Sequence, residues 1–90
     1  MTVRFHRHAL ERLSERGATE LEVVATVEAG EKFPAKFGRV GFRRDFPFNG
    51  KWRGCFFSMK QIEAYAVAEE NDWLVITVIV KYFEQGREAK

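Results

Sequence analysis

The chain lacks the residues that cross-link small domains or hold structural metals. Its 90 residues include one cysteine, Cys55, which excludes an internal disulfide framework and a cysteine-rich zinc site. No apolar run approaches the ~20 residues that span a bilayer, and the N-terminus lacks the basic-then-apolar layout of a signal peptide. These absences predict a cytoplasmic protein that works without a membrane, a metal or another cofactor.

Internal repeats, low-complexity tracts and domain-separating linkers are missing as well. We therefore expect a single domain over residues 1–90, with residues 84–90 as a polar tail. A chain of this length buries roughly 60–65% of its unfolded surface, which leaves little surplus stability, so a homodimer is one expected assembly. The composition is 46% hydrophobic, with nine Phe, two Trp and two Tyr, which predicts an ordered core.

No large excess of one charge is present, since 15 Lys and Arg stand against 13 Asp and Glu for a net charge of +2. The charges are nevertheless uneven. The first 16 residues carry four Arg against two Glu, and residues 36–53 carry six basic residues against Asp45 alone. Such local excess attracts phosphates even where the whole chain is nearly neutral, although an ordinary solvated surface is the alternative.

A first helix is predicted over residues 5–16. The segment is amphipathic and is followed by Gly17, a residue typical of the left-handed position that ends helices. At 100° per residue, Leu10 and Leu13 are directed to the core. His6 falls on the same side, where a partly buried and hydrogen-bonded histidine is expected.

A second helix is predicted directly afterwards. Thr19 and Glu22 form a capping box at its start, and Gly30 ends it. The two helices should form a hairpin. The apolar side chains expected on the inner face of the second helix are Leu21, Val24, Ala25 and Val27.

Beyond Gly30 the period becomes alternating, which is typical of strands. One side of the first strand should carry Val40, Phe42, Arg44 and Phe46, and the other Arg39, Gly41, Arg43 and Asp45. Asn49-Gly50 is a strong signal for a two-residue hairpin turn. We therefore predict the returning strand over residues 51–59.

The remaining strands are separated by short polar connections. One connection is expected at Lys60 and Gln61, before a weakly alternating strand over residues 64–69. The last strand, residues 73–83, is apolar on both faces, which predicts a central position in the sheet. The fold class is α+β, with two N-terminal helices followed by three to four antiparallel strands.

The run from His8 to Gly17 (HALERLSERG), the capped helix after it and the Val75-to-Ile79 strand (VITVI) resemble a family of short uncharacterised bacterial proteins. Members carry a His-Ala-x-x-Arg-x-x-x-Arg-Gly helix and are similar to the RelE, ParE and BrnT toxin group. The resemblance implies helices lying across a curved antiparallel sheet. It also implies a toxin-like endoribonuclease of a bacterial toxin–antitoxin system, with RNA or the ribosome and an antitoxin protein as partners.

His8 is the leading catalytic candidate, because an imidazole both takes and gives protons near neutral pH. Metal-independent RNA cleavage needs both steps, and it needs cations beside the phosphorus. Glu11 or Glu15 is the candidate partner of His8, with Glu11 preferred. Arg12 and Arg16 follow at helical spacing to bind phosphate oxygens. The alternative is a packed histidine among surface ion pairs of little energetic weight.

Arg39, Arg43 and Arg53 form a candidate cationic stripe that tracks a phosphate backbone. Protection of an edge strand from aggregation is the alternative. Trp52, Phe56 and Phe57 either stack on bases or serve the core or a subunit interface. Tyr82 and Lys81 are candidates to reach an active groove, and Cys55 is expected to be a small buried residue.

Two other functions stay open at this stage. The first is a non-catalytic module that binds nucleic acid or an acidic protein segment through its basic face. The second is a structural protein without a ligand.

Overall fold

A short strand that the sequence pattern did not predict precedes the first helix. The computed structural model describes residues 2–84. The elements in chain order are β1 (Thr2–Phe5), α1 (Arg7–Arg16), α2 (Glu20–Ala29), β2 (Glu31–Pro34), β3 (Val40–Trp52), β4 (Cys55–Glu69) and β5 (Asp72–Phe83). The expected α+β class is confirmed in this coarse form.

The strands form one mixed sheet in the order β1-β5-β4-β3-β2. β1 pairs with β5 in parallel, and the other neighbours are antiparallel. The prediction of three to four antiparallel strands was therefore too low, and it missed the parallel pair. Both missed strands are four residues long, and so few residues display too little alternation to be recognised in the sequence.

α1 is bounded as its sequence signals suggest, with one shift at its start. Gly17 caps the C-terminus at φ 77°, in the left-handed region. The N-cap is His6, whose Nδ1 accepts a hydrogen bond from the backbone N–H of His8 at 3.1 Å. Ala9 and Leu13, one turn apart, are buried against the sheet. Leu10 lies 41% exposed, so its expected core position was wrong.

α2 has the predicted capping box, in which Thr19 and Glu22 exchange hydrogen bonds of 3.0 and 3.2 Å. Its buried residues are Val23, Thr26 and Val27. Of the expected inner residues, Val27 is buried, whereas Leu21 is 83% exposed. The helix therefore sits rotated from the expected orientation. Thr26 tolerates burial because its hydroxyl donates to the carbonyl of Glu22 at 2.8 Å.

The β3–β4 hairpin turns four residues later than predicted. β3 runs through Asn49-Gly50, and the turn is at Arg53-Gly54, with φ of 52° and 83°. Positive φ at both central residues is what a type I′ turn requires. Asn49, with φ 49°, lies where the register shifts between Pro47 and Gly50, so it belongs to a bulge.

β4 is continuous through the positions expected to be a polar connection. Lys60 is only 6% exposed and points to the helices. Its ammonium donates to Glu22 at 2.9 Å and to the carbonyl of Gly17 at 2.8 Å. The polar residue therefore sits inside a strand because the caps of both helices supply its partners.

β5 lies between β4 and β1, but β1 pairs only with its first four residues, Asp72 to Val75. The register between β4 and β5 also shifts between Tyr65 and Ala66. Because of this bulge, Val75 and Val78 are both buried, which breaks the expected strict alternation. Within the described residues, β5 from Ile76 onward has no strand partner on the β1 side.

The core lies between the two helices and one face of the sheet. Its buried members are Ala9, Leu13, Ala18, Val23, Val27, Phe42, Ile62, Ala64, Ala66, Val75 and Val78. Among the described residues no helix is long and apolar enough to cross a bilayer. Residues 85–90 of the expected polar tail lie outside the described part of the chain.

Candidate functional site

A groove runs between α1 and the unpaired part of β5. Two contacts hold the helix beside this edge. The backbone N–H of His6 donates to the carbonyl of Val75 at 2.9 Å, and Arg16 Nη1 donates to the carbonyl of Val78 at 2.5 Å. The cavity is about 250 Å³ and is lined by His6, His8, Arg12, Arg16, Ile76 and Thr77. We call this surface the α1–β5 groove.

Helical spacing brings three of the predicted site residues together. His8, Arg12 and Arg16 are each four residues apart, so they lie on one side of α1 and line the same groove. Arg12 contacts Glu15 at 3.7 Å across an exposed surface, a pair of little energetic weight. Arg16 uses one donor on Val78, and a guanidinium has five. Both guanidiniums can therefore bind an anion.

His6 occupies a different place from the one expected. It is the exposed N-cap of α1 rather than a partly buried helix residue. Its ring stacks on that of His8, with centroids 6.0 Å apart and planes 16° from parallel. Because His6 Nδ1 accepts the His8 N–H, a neutral His6 carries its proton on Nε2. The groove thus holds two adjacent imidazoles.

Glu11 pairs with a different side chain of α1. Its carboxylate lies 3.7 Å from Arg7 Nε, in an exposed pair on the same helix, and it does not line the groove. The structure therefore places His6, and not Glu11, beside the imidazole of His8.

A second depression continues the groove toward the β3–β4 turn. Its volume is about 400 Å³, and its lining residues are Glu15, Arg16, Trp52, Arg53, Ile79, Val80 and Tyr82. Arg16 lines both cavities, so the two lie next to each other on the surface. We call this second part the hairpin pocket.

Stacked aromatic rings build the wall of the hairpin pocket. Trp52 stacks on Tyr82 with centroids 4.8 Å apart, and the Arg53 guanidinium lies 5.5 Å from the Trp52 centroid. The Tyr82 hydroxyl donates to the carbonyl of Arg16 at 2.8 Å. Burial raises the pKa of Tyr82, and the Glu22 carboxylate adds to that rise while Arg53 opposes it. At neutral pH the phenol therefore stays protonated and keeps its hydrogen bond.

Gly17 is required where α1 meets this wall. A Cβ at this position would lie 2.2 Å from the Tyr82 hydroxyl and 2.9 Å from the Trp52 ring. The glycine therefore allows the end of the helix to approach both rings, in addition to supplying the left-handed cap.

The expected stripe of Arg39, Arg43 and Arg53 is not one surface. Arg53 lies at the hairpin turn beside Arg16, whereas Arg39 and Arg43 lie on the sheet face opposite the helices. Arg43 forms an ion pair with Glu31, and this hydrogen bond raises the pKa of the guanidinium against the effect of desolvation. Arg43 is thus paired with Glu31 on the sheet face opposite the helices and does not line the groove with Arg12.

Two further expectations concern reactive groups. Cys55 is exposed at the start of β4, so the prediction of a buried cysteine was wrong. Cys55 directly follows the Arg53-Gly54 turn, and this end of β4 lies outside the core. Across residues 2–84, no group of three or more His, Cys, Asp or Glu side chains is placed to hold a metal ion.

Some residues of this surface are not evident from the sequence. Thr77 and Ile76 line the groove because of the bulge and the early end of β1, neither of which leaves a local sequence signal. Tyr82 shares the side of Val80 in the paired strands, so its place beside the helix could be found from alternation alone.

Compared with known proteins, the chain matches no family model, no curated protein and no solved structure.

Proposed function

We propose that the protein binds a single strand of RNA along the α1–β5 groove and the hairpin pocket. The observation that carries this proposal is the shared Arg16, which joins His6, His8 and Arg12 on one side to Arg53 on the other. The cations stand close together on a chain whose net charge is only +2. A local cationic row of this kind attracts a phosphate backbone.

Helix geometry supports the proposal. With a rise of about 1.5 Å per residue, His8, Arg12 and Arg16 follow one another at intervals of about 6 Å along α1. Such a row contacts successive groups of an extended polyanion rather than one isolated phosphate. Arg53, held over Trp52, extends the row past the end of the helix.

A second candidate function, metal-independent RNA cleavage, is favoured by the pair of adjacent imidazoles. In this reaction one imidazole takes the proton of a ribose 2′-hydroxyl, and the 2′-oxygen bonds to the adjacent phosphorus. The bond from phosphorus to the 5′-oxygen breaks, and the other imidazole gives that oxygen a proton. The products are a 2′,3′-cyclic phosphate and a 5′-hydroxyl. Arg12 and Arg16 are placed to stabilise the extra charge on the phosphorane.

In this form of the proposal His8 acts as acid or base and His6 replaces Glu11 as its partner. The protein would then be an endoribonuclease resembling the RelE and BrnT toxins, acting on free or ribosome-bound RNA. An antitoxin protein would neutralise it by covering the α1–β5 groove.

A cleavage assay tests the reaction directly. Purified protein is incubated with free single-stranded RNA in the presence of EDTA and, separately, with ribosome-bound RNA in a buffer that contains Mg²⁺. We expect 2′,3′-cyclic phosphate ends from the wild type, and none from His8→Gln or His6→Asn. Asparagine is chosen because it keeps a good N-cap acceptor while removing the imidazole.

Unchanged RNA in both conditions would contradict cleavage but leave binding open. RNA binding that survives His8→Gln and weakens steeply with salt would then favour the non-catalytic module.

Tightly controlled expression in a bacterial host tests the toxin form of the proposal. Growth and transcript ends are followed for the wild type, His8→Ala and Arg12→Ala, with circular dichroism to establish that each variant is folded. Arrest with new RNA ends that the variants lack is the expected result. Normal growth with intact transcripts would contradict a toxic ribonuclease.

A further inference from the structure

The sheet face opposite the helices carries a pocket that is separate from the α1–β5 groove and the hairpin pocket. It is about 410 Å³ in volume and lies between the β2–β3 loop and strands β4 and β5. Three aromatic rings and two cations line it, from Phe33, Phe37, Tyr65, Lys36 and Arg39. Aromatic faces beside positive charges suit a ligand that is flat at one end and anionic at the other.

The floor of this pocket is fixed by contacts within the sheet. Phe33 meets Tyr65 edge to face, with centroids 5.9 Å apart. Both pair with Gly41 across their strands, and a Cβ there would lie 2.3 Å from the Phe33 ring. The glycine therefore leaves the space that the Phe33 ring fills.

The acidic groups beside the floor are already paired with cations. Tyr65 donates to Glu63 at 3.0 Å, and Lys81 contacts the same carboxyl group at 3.0 Å. Glu31 is paired with Arg43. These ion pairs leave Lys36 and Arg39 to set the sign of the charge at the pocket.

The loop over this floor carries an aromatic residue that packing does not explain. Phe37 is 86% exposed and has a φ of 62°, and the next residue, Gly38, has a φ of 70°. A bulky side chain in the left-handed region costs free energy, which an exposed ring does not recover by packing. Hydrogen bonds of 3.2 Å from Ala35 N–H to Arg39 and from Arg39 N–H to Lys36 close the loop.

We propose that this pocket binds one unpaired nucleotide, with its base stacked on Phe37 and its phosphate held by Lys36 and Arg39. The inference rests on the proposed function in one respect, because the nucleotide belongs to the RNA strand bound in the α1–β5 groove. Thr77 lines both cavities and belongs to the part of β5 that β1 does not cover, so the RNA strand passes from the groove to the pocket at this residue. The protein is therefore specific for single-stranded RNA, since a paired base cannot enter.

Mononucleotides test the pocket without the groove. Adenosine 5′-monophosphate is titrated into the isotope-labelled wild-type protein while amide shifts are followed by NMR. We expect shifts at Phe37, Gly38, Tyr65 and Thr77, and weaker ones with adenosine, which has no phosphate. Shifts absent from these residues at saturating nucleotide would overturn the proposal.

Variants test the contribution of the pocket to RNA binding. Phe37→Ala should weaken the binding of a single-stranded RNA about 5- to 150-fold, the range expected for loss of one base stack. Phe37→Trp should retain the affinity, because it keeps a stacking face. The control is Leu21→Ala, a truncation of an apolar side chain of similar exposure on α2, which should have no effect.

The two proposals fail in different ways. RNA binding that depends on Arg12 but is unchanged by Phe37→Ala would overturn the pocket and leave the groove standing. Amide shifts at Phe37 on addition of the mononucleotide, without RNA binding that depends on Arg12, would overturn the groove and leave the pocket standing.

Discussion

At the residue scale, Lys60 ties the two helix ends to the sheet. Its side chain is 7% exposed, and its ammonium contacts Glu22 at 2.9 Å as well as the Gly17 carbonyl. Glu22 also accepts from the Thr19 N–H at 3.0 Å in the capping box. One carboxylate therefore serves both the start of α2 and a buried cation.

Glu22→Gln tests this double role. The amide keeps hydrogen-bonding capacity but removes the negative charge, so we expect the free energy of unfolding to fall by about 1–3 kcal/mol. Urea denaturation gives the difference. Glu20→Gln, in the same first turn, is the matched control and should change stability by less than about 0.5 kcal/mol. Equal effects from both substitutions would mean that the helix dipole, and not Lys60, accounts for the loss.

Tyr82 links stability to alkaline pH. Its pKa is raised by burial, so the folded state disfavours the phenolate relative to the unfolded state. The stability that this provides is complete below the ordinary pKa of about 10 and is lost as the pH rises through the folded value. Tyr82→Phe should lower stability at neutral pH by about 0.5–1.5 kcal/mol, because the hydrogen bond to the Arg16 carbonyl is removed.

The same substitution should also make the alkaline loss of stability shallower. Urea midpoints measured at neutral pH and at about pH 11 compare the two proteins. Parallel pH profiles for the wild type and Tyr82→Phe would contradict this role. Tyr65 is the other tyrosine of the chain, and burial raises its pKa as well, so Tyr65→Phe separates the two contributions.

Gly41 leaves the space for the Phe33 ring, which forms the floor of the pocket on the sheet face opposite the helices. Gly41→Ala would place a methyl group 2.3 Å from the Phe33 ring, so the ring must move away from Tyr65. We expect a loss of about 1–3 kcal/mol in thermal or urea unfolding. Gly50→Ala, whose Cβ has no neighbour nearer than 3.6 Å, should be tolerated. Two equally mild variants would contradict the close approach.

At the element scale, local signals predicted the C-cap of α1 and the N-cap of α2, but neither the N-cap of α1 nor the hairpin turn. In the capping box the side chains of Thr19 and Glu22 bind each other's backbone N–H groups, so a four-residue stretch of sequence suffices to specify the cap. Asn49-Gly50 and Arg53-Gly54 can both supply the left-handed residues of a turn. The choice depends on cross-strand packing, since the observed register brings Phe48 and Phe57 to within 5.0 and 5.7 Å of Tyr82.

Arg53→Asn tests whether the turn residue was kept for binding. Asparagine tolerates positive φ better than arginine, and Asn-Gly favours type I′ turns, so stability should rise by a few tenths of a kcal/mol to about 1 kcal/mol. RNA affinity should fall, because Arg53 lines the hairpin pocket. Thermal unfolding and RNA titration measure the two effects. A variant that gains stability and keeps its affinity would remove Arg53 from the proposed binding surface.

At the scale of the whole molecule, the candidate site joins predictable and unpredictable parts. The 3.6-residue helical period is enough to place His8, Arg12 and Arg16 on one side of α1. The groove itself exists because β1 ends at Phe5 and leaves Ile76 onward unpaired, a consequence of long-range pairing. For the same reason the sequence did not predict that the His6 ring lies beside His8, since the N-cap position of His6 depends on where β1 stops.

Charge distribution separates the two faces of the sheet. Arg39 and Arg43, which were expected to form a cationic stripe with Arg53, lie on the opposite face, where Arg43 is paired with Glu31. Net charge therefore says little about binding in this protein. Two charge reversals on α1, one inside the α1–β5 groove and one outside it, distinguish RNA binding at the groove from attraction of RNA to the net charge of the protein.

The most direct test is the affinity of the protein for a labelled single-stranded RNA, measured by fluorescence anisotropy at several salt concentrations. An RNA of about 12 nucleotides is suitable, because single-strand binding sites usually cover roughly 4–16 nucleotides. Arg12→Glu removes a groove cation, whereas Arg7→Glu makes the same change in net charge at a 90% exposed side chain outside the groove. We predict that Arg12→Glu weakens binding about tenfold or more. It should also lower the slope of log affinity against log salt concentration by about 0.7 for each phosphate that is no longer neutralised. Arg7→Glu should change the affinity by less than about threefold. Equal losses from the two reversals, or no measurable binding by the wild type, would contradict the account.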